Sequence, residues 1–357
     1  MALAPYMEWA KTRPAARWDL AISNVLGLSI EELPGAGAAL ALGGRNDSGY
    51  EPLLDAIARH YGVRSTQVTT AQGASGANFL VFATLLTHGD DVLVERPGYD
   101  PLMGAARLLG ANVVQFERPA EAGFALDPAR VKAAMTPRTR LIVITSPHNP
   151  SSVVADPEAL RQIGEYAAAG GAHVVVDEVY LDAAARSTPT AATLGDHFIV
   201  TSSLTKSYGL AGLRCGWLLS SEAVAARLRR TRDVVDGTGS IVAERLSVVA
   251  FAHLDQLQRR ARALLDTNRP IVRDFLRGRP ELKCADPTGG TVIFPRLRNV
   301  DDTSAFAARL LAERDTAIVP GHFFQAPGHF RLGFSGPTEQ LRGGLEQVAA
   351  ALDTHSW

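Results

Sequence analysis

The sequence predicts an α/β fold, a mostly parallel central sheet with helices on both faces, joined to a smaller α+β domain. Three observations predict it. Apolar runs such as LIVIT from Leu141, HVVV from His173 and FIV from Phe198 are continuous rather than alternating, as in strands buried on both faces. Helix-type stretches separate these runs, the rhythm of a parallel sheet built from strand–helix–strand units. After about residue 277 that rhythm gives way to shorter mixed segments, which marks the smaller domain.

The first forty residues carry too little pattern to define elements. Residues 1–45 are therefore assigned to the small domain or a dimer interface, with a large domain over 46–265 and a small C-terminal domain over 266–357. AQGASGANFL (71–80) reads as a glycine-rich turn into a helix. DVLVERPGYD (91–100) is a strand closed by a Pro-Gly turn, and ANVVQFER (111–118) is the next strand. LIVITSPHNP (141–150) breaks at Pro147. Asp156 and then Pro157 predict a helix start, a capping side chain followed by proline at the first helical position. That helix carries Leu160, Ile163 and Tyr166 near helical spacing and stops at Gly170-Gly171. Strands at HVVVDEVY (173–180), FIVTSSLTK (198–206) and CGWLLS (215–220) follow. Residues 241–277 read as one long helix, bent near Pro270. The small domain then holds KCADPTGGTVIFPRL, a helix from about Thr303, AIVPGHFF, HFRLGFSG and a last helix from Thr338.

The 357 residues are 46% hydrophobic and 20% charged, with a formal net charge of −1. Near-neutral charge gives no electrostatic case for nucleic acid or a membrane surface. Arg227, Arg229, Arg230 and Arg232 read as one solvated helix face. No apolar run approaches the roughly 18 residues of a membrane span, and the N-terminus lacks a signal-peptide pattern. Two cysteines, Cys215 and Cys284, suit neither a disulfide framework nor zinc, and the nine histidines show no ligand spacing, so no metal is expected. A reducing cytoplasm is the expected location.

Ligands in open α/β sheets bind at the carboxyl ends of the strands. Tyr99, Asn149, Asp177, Tyr180 and Lys206 all fall at such ends. Lys206 is one of only four lysines, against thirty-two arginines, and it follows an apolar strand among Ser, Thr, Tyr and Gly. Lysine is costly to desolvate, and a lysine whose pKa is lowered by burial can act as a nucleophile or form a Schiff base.

Ser203-Leu204-Thr205-Lys206, followed by Gly209, Gly212, Arg214 and Gly216, resembles the pyridoxal-phosphate attachment site of class I and II aminotransferases, the fold-type-I, aspartate-aminotransferase-like enzymes. The resemblance runs from about Gly49 to Arg331. It implies pyridoxal 5'-phosphate as cofactor, Lys206 as the Schiff-base lysine and catalytic base, and Asp177 as partner of the pyridine nitrogen. It further implies that Tyr180 and Asn149 bond the ring hydroxyl oxygen and that Tyr99 stacks on the ring. Gly73, Ala74, Ser75, Ser203 and Arg214 would cradle the phosphate. Arg331, in FRLGFSG, would bind the substrate carboxylate, with Asn149 beside it.

The expected reaction is transamination between an amino acid and a 2-oxo acid, by a homodimer. A lyase or cyclase of the same fold, such as a carbon–sulfur β-lyase, is the alternative. A regulatory protein with a DNA-binding module and a binding protein that has lost catalysis are the other classes weighed. The first finds no module ahead of residue 40, and the second is opposed by the retained Lys206, Asp177, Asn149, Tyr180 and Arg214. Two departures from the family pattern matter, beside a minor one at Cys215. Gly44 stands where the family often has a tyrosine that reaches the neighbouring subunit's cofactor. That reach is either missing here or supplied by Arg45 or Asn46. Ser152 stands where the turn after Asn149 usually ends in glycine. Arg45 is also the one candidate for a second, dicarboxylate-binding arginine. Cys215 replaces an aliphatic residue.

Overall fold

The computed structural model describes residues 4–184 and 188–354. Its large sheet has seven strands: β1 (Val68–Gln72), β2 (Asp91–Arg96), β3 (Asn112–Glu117), β4 (Thr139–Thr145), β5 (His173–Asp177), β6 (Phe198–Ser203) and β7 (Cys215–Leu219). They lie in the order β1-β7-β6-β5-β4-β2-β3. Every pair is parallel except those of β7, which runs antiparallel to both β1 and β6.

Successive strand residues enter different cores, which explains the continuous apolar runs. Ile142, Val174, Val176, Val200 and Trp217 pack on one face. Helices α2 (Glu51–Tyr61), α5 (Pro128–Ala134), α6 (Pro157–Ala169) and α8 (Ile241–Ala252) cover that face with Ile57, Val131, Ile163 and Leu246. Leu141, Val143, Val175, Ile199 and Leu218 point the other way. There α3 (Gly73–Leu85), α4 (Asp100–Leu108) and α7 (Glu222–Val235) supply Leu80, Met103 and Leu228. The start of α6 is as the sequence predicts: Asp156 accepts from Glu158 N at 2.9 Å, and Pro157 opens the helix.

The C-terminal part is built on a small antiparallel sheet of β8 (Val292–Ile293), β9 (Val319–Pro320) and β10 (Phe330–Gly333), with β10 in the middle. Helices α10 (Ser304–Arg314) and α11 (Thr338–Asp353) close a second core around Phe330, Leu332, Phe306 and Leu345. The N-terminal segment joins this part: Trp18–Asp19 pairs in parallel with Thr316–Ala317. Ahead of it, α1 (Pro5–Thr12) packs Tyr6 against Tyr99, Phe323 and Phe324.

Two expectations need correction. The long helix over 241–277 is two helices, because His253 (φ −115°, ψ 17°) interrupts it between α8 and α9 (Leu254–Arg277). Pro270 sits inside α9 at an exposed position and does not end the helix. α9 contributes Leu254 and Leu257 to the large core and Leu265 and Val272 to the second one. The arginine row on α7 is not one solvated face either. Arg232 is buried, donates to Thr70 Oγ1 at 2.9 Å and lies 3.8 Å from the Glu244 carboxylate.

Strands β1 and β7 approach so closely that a Cβ at Gly216 would stand 2.3 Å from the Gly73 carbonyl carbon. Gly216→Ala is therefore expected to lower the unfolding free energy by about 1–3 kcal/mol, the usual cost of overpacking. It would be read as a lower urea midpoint at an unchanged m-value.

Candidate active site

Six parallel strands bring their carboxyl ends to one edge of the sheet. Because β7 is reversed, the residue before its first position, Arg214, arrives at that same edge. A cavity of about 470 Å³ opens there. Every residue that the sequence assigns to the cofactor or the substrate carboxylate borders it except Gly73, which lies behind Arg214.

Lys206 lies three residues beyond β6, and its Nζ donates to Ser23 Oγ at 3.1 Å. Tyr180 Oη donates to the same oxygen at 3.0 Å. Burial lowers the Lys206 pKa; Tyr6 and Asp177 act against that shift, and Arg331 and Arg214 act with it. The ammonium is thus disfavoured although the side chain keeps contact with the cavity. Asp177, at the end of β5, is 6% exposed, and burial raises its pKa. Its Oδ2 accepts from Asn78 Nδ2 at 2.8 Å and its Oδ1 from Val179 N at 3.1 Å. Thr201 Oγ1 donates to Asn78 Oδ1 at 2.7 Å, which fixes the amide with its nitrogen toward the carboxylate.

On the opposite wall, Arg331 projects from β10 and is 1% exposed. Its Nη1 donates to Asn149 Oδ1 at 3.1 Å, and its Nη2 donates to Tyr6 Oη at 2.6 Å and Ala21 O at 3.1 Å. Its Nε is buried without a partner. Tyr99 stands over α1, donating to Met7 Sδ at 3.3 Å.

The loops carrying Tyr99 and Asn149 share one buried anchor. Glu95 accepts from Arg118 Nη1 and from Thr145 N, both at 2.8 Å, and Thr145 Oγ1 in turn accepts from Asn149 N at 2.9 Å. His148, its pKa pushed well below the usual range by burial, is neutral. Its Nε2 therefore donates to Pro97 O at 2.9 Å, which leaves Nδ1 to accept from Ser151 Oγ at 2.6 Å. Ser152, in place of glycine, adopts φ 61°. Its hydroxyl donates to Val292 O at 2.6 Å, and this bond, which glycine cannot make, ties the Asn149 turn to β8.

At the other end of the cavity, α3 begins without a side-chain cap, which leaves its first N–H groups at Ala74 and Ser75 open. Gly73 has φ 69°, and a Cβ there would lie 2.3 Å from Arg214 Nη2. Only glycine lets that guanidinium lie against the helix start. Ser203 is buried beside it.

At the positions that depart from the family pattern, the space beside Gly44 is closed by Arg245 and Ile241, at 3.0 and 3.1 Å from a Cβ. Arg45 points into solvent and pairs with Asp47 at 2.9 Å. Asn46 is used up by Gly239 O and Glu244, both at 2.8 Å. Neither reaches this chain's own cavity. Burial pushes the Cys215 thiol up to about 12, so it serves as a small core residue. Among the described residues no group of three or more His, Cys, Asp or Glu is placed to hold a metal ion, and no helix is long and apolar enough to cross a membrane.

Sequence reasoning passed over Asn78, Tyr6 and the specific part played by Ser23. Asn78 gave a signal: it is the one amide on an otherwise apolar helix, four residues after Ala74 and so on the same face. Tyr6 and Ser23 gave none, since their partners are far off in sequence: Asp100 and Arg331 for Tyr6, Tyr180 and Lys206 for Ser23.

The chain matches the family described as aminotransferase class I and II over residues 35–348. It is 32% identical to capreomycidine synthase of Streptomyces vinaceus, over 99% of this chain and 94% of that protein. It is 28% identical to an aspartate aminotransferase of Streptomyces avermitilis, over 90% of this chain and 80% of that one. Among solved structures it resembles a pyridoxal-phosphate-dependent aminotransferase of Streptococcus suis, with a TM-score of 0.93, 26% identity and coverage of 100% and 99%. The pyridoxal-phosphate-dependent cyclase OrfR gives 0.89 and 26%, with coverage of 100% and 98%.

The residue beside Asp177 yields a pH prediction. Glu178 caps the turn at 190–193, accepting from Thr190 Oγ1 and Ala191 N, both at 2.7 Å. Burial raises its pKa from 4.5 to about 8. Between those values the folded state binds more protons than the unfolded one, so stability falls as pH rises through the window. Glu178→Gln cannot titrate. Its urea midpoint relative to the parent is expected to move in the variant's favour from pH 5 to pH 8, and a constant gap would contradict the assignment.

Proposed function

We propose, from the premise that this chain belongs to the class I and II aminotransferase family, that it transfers the amino group of an α-amino acid to a 2-oxo acid. The protein is a pyridoxal-phosphate-dependent enzyme of the aminotransferase fold, and pyridoxal phosphate is its cofactor. One observation carries the part of the reading that begins with the α-proton: the Lys206 amine, the Asp177 carboxylate and the Arg331 guanidinium border one cavity. The family's aspartate aminotransferases favour transamination as its outcome.

The residues present fit the cofactor. The open N-terminus of α3, Ser75, Ser203 and Arg214 form a cradle for a phosphate, with the helix dipole in its favour. The side-chain-free surface of Gly73 keeps Arg214 against it. When bound, pyridoxal phosphate supplies an aldehyde that condenses with amines and a ring that withdraws electrons from the attached carbon. Asp177, locked by Asn78 and Val179 N, would hold the proton on the pyridine nitrogen. Tyr180 and Asn149 would bond the ring oxygen, and Tyr99 would stack on the ring. Arg331, which borders the cavity, would take the substrate carboxylate through its planar fork of N–H donors. Lys206 Nζ, whose ammonium form burial disfavours, would take the α-proton.

A second reading, cyclisation of the substrate, is favoured by the likeness to the pyridoxal-phosphate-dependent cyclase OrfR across 100% of this chain. Both reactions begin with loss of the α-proton, so the same Lys206, Asp177 and Arg331 serve either. We also propose a homodimer. Leu40, Leu42, Val234 and Val235 are exposed on adjoining segments, joined by Asn46 to Gly239 O and by Arg245 to Gly43 O. Sedimentation at the mass of a single chain would exclude it.

Mixing the holoenzyme with single amino acids, without a 2-oxo acid, separates the two reactions. Transamination yields one equivalent of 2-oxo acid and leaves the cofactor in its amino form; cyclisation returns the cofactor spectrum unchanged and gives a product that keeps its nitrogen. Lys206→Ala is expected to lose covalent cofactor attachment after borohydride reduction, read by mass spectrometry. Arg331→Lys, which replaces a planar fork by a point charge, is expected to raise KM for the amino acid by about 10- to 100-fold, the worth of one charge-assisted hydrogen bond.

A further inference from the structure

Ser23 belongs to none of the roles assigned above, yet its hydroxyl sits at the centre of the cavity's polar wall. The residue is 4% exposed. Its Oγ accepts from Lys206 Nζ at 3.1 Å and from Tyr180 Oη at 3.0 Å. A serine hydroxyl accepts two hydrogen bonds and donates one. Both acceptor places are filled, and no bond donated by this hydroxyl occurs among the described residues.

Its position is fixed from three sides. Thr291 Oγ1, next to β8, donates to Ser23 O at 2.5 Å. Arg331 Nη2 donates to Ala21 O at 3.1 Å. Val25 N donates to the carbonyl of Lys206 itself at 3.0 Å. The segment that carries Ser23 is thus tied to the lysine's own backbone, to the strand that bears Arg331 and to the edge of the small sheet.

The proton count gives this arrangement a consequence. Tyr180 has one proton, and here it is given to Ser23. When Tyr180 turns that proton to another acceptor in the cavity, the unassigned proton of Ser23 can be donated back to Tyr180 Oη across the same gap. Ser23 Oγ meanwhile goes on accepting from Lys206. One link reverses and no heavy atom moves.

We propose that Ser23 is a positioning residue for Lys206: its hydroxyl holds the free amine in place and joins it to Tyr180 through a link that can run in either direction. The proposal rests on the reading of Lys206 as the reacting amine. The groups that face this amine are Tyr6 from α1, Asp177 and Tyr180 from the end of β5, Arg331 from β10 and Arg214 ahead of β7. Ser23 is the group among them that accepts a hydrogen bond from Nζ. A hydrogen bond from a charged donor is stronger than one from a neutral donor, so Ser23 favours the ammonium form, and its removal lowers the lysine's pKa further.

The test uses the apoenzyme. Reductive methylation with formaldehyde and cyanoborohydride is followed against pH, peptide by peptide, by mass spectrometry. The other lysines, Lys11, Lys132 and Lys283, serve as internal controls. Ser23→Ala is expected to move the Lys206 midpoint down by about one pH unit, in line with the worth of a hydrogen bond to a charged group. The controls stay in place, and Ser23→Thr, which keeps a hydroxyl, restores the midpoint. Should Ser23→Ala not fold, Ser23→Gly makes the same comparison. An unchanged Lys206 midpoint in the variant that lacks the hydroxyl, or an equal shift in Ser23→Thr, overturns the proposal. In the holoenzyme, Ser23→Ala should lower kcat about tenfold or more while KM stays within about twofold; a change in KM alone would mean that Ser23 only shapes the pocket. A parent protein that fails to attach pyridoxal phosphate at Lys206 would overturn the reaction proposed above, while the apoenzyme midpoints would still decide the part played by Ser23.

Discussion

Glu95 and Arg118 face each other at 2.8 Å with almost no access to water, and much of the cavity depends on them. Burial outweighs the pull of Arg118 and holds the Glu95 carboxyl above its usual range. Further hydrogen bonds to such a pair offset its desolvation. The backbone and hydroxyl of Thr145 meet the carboxylate and the carbonyl of Phe124 meets Arg118 Nε, while Arg118 Nη2 is left buried without a partner. The cost of burying the charges is thereby converted into a fixed position for the end of β4. The Asn149 turn hangs from that end, and through Asn149 one arm of Arg331 is set.

The second organising element is the direction of a single strand. Strands of like polarity can present only carboxyl-end loops at one edge. Reversing β7 adds an amino-end residue to the same edge, and that residue is Arg214. The close approach of Gly73 and Gly216 follows, because the guanidinium and the start of α3 must share the space between β1 and β7. Asp177 and Lys206, on the adjacent parallel strands, then face this basic corner from the far side, with Asn78 of α3 bracing the carboxylate.

The large sheet was legible because burial on both faces writes itself into consecutive residues: Val174, Val175 and Val176 need no partner to be recognised. Lys206 was legible because an amine is out of place after such a run. What escaped was whatever depends on distant partners. The break at His253 carries no glycine or proline, whereas Pro270 carries the signal and does not break the helix. Arg232 is indistinguishable from Arg229 and Arg230 until Glu244 and Thr70 are brought beside it. The N-terminal forty residues looked featureless because their order comes from outside. Tyr6 is placed by Arg331 and Asp100, and Ser23 by Lys206 and Thr291.

The pairing of Trp18–Asp19 with Thr316–Ala317 also sets a timetable. The segment that delivers Ser23 to Lys206 leaves the ribosome about 300 residues ahead of its docking strand. At roughly 5–20 residues per second, that is about 15–60 s of synthesis. During this interval the large sheet can close around its own core, and residues 20–25 can meet Tyr180 and Lys206 but not yet Thr291, Ala317 or Arg331. The nascent chain therefore passes through a stage in which the lysine pocket stands open on one side, and its completion is among the last events of folding.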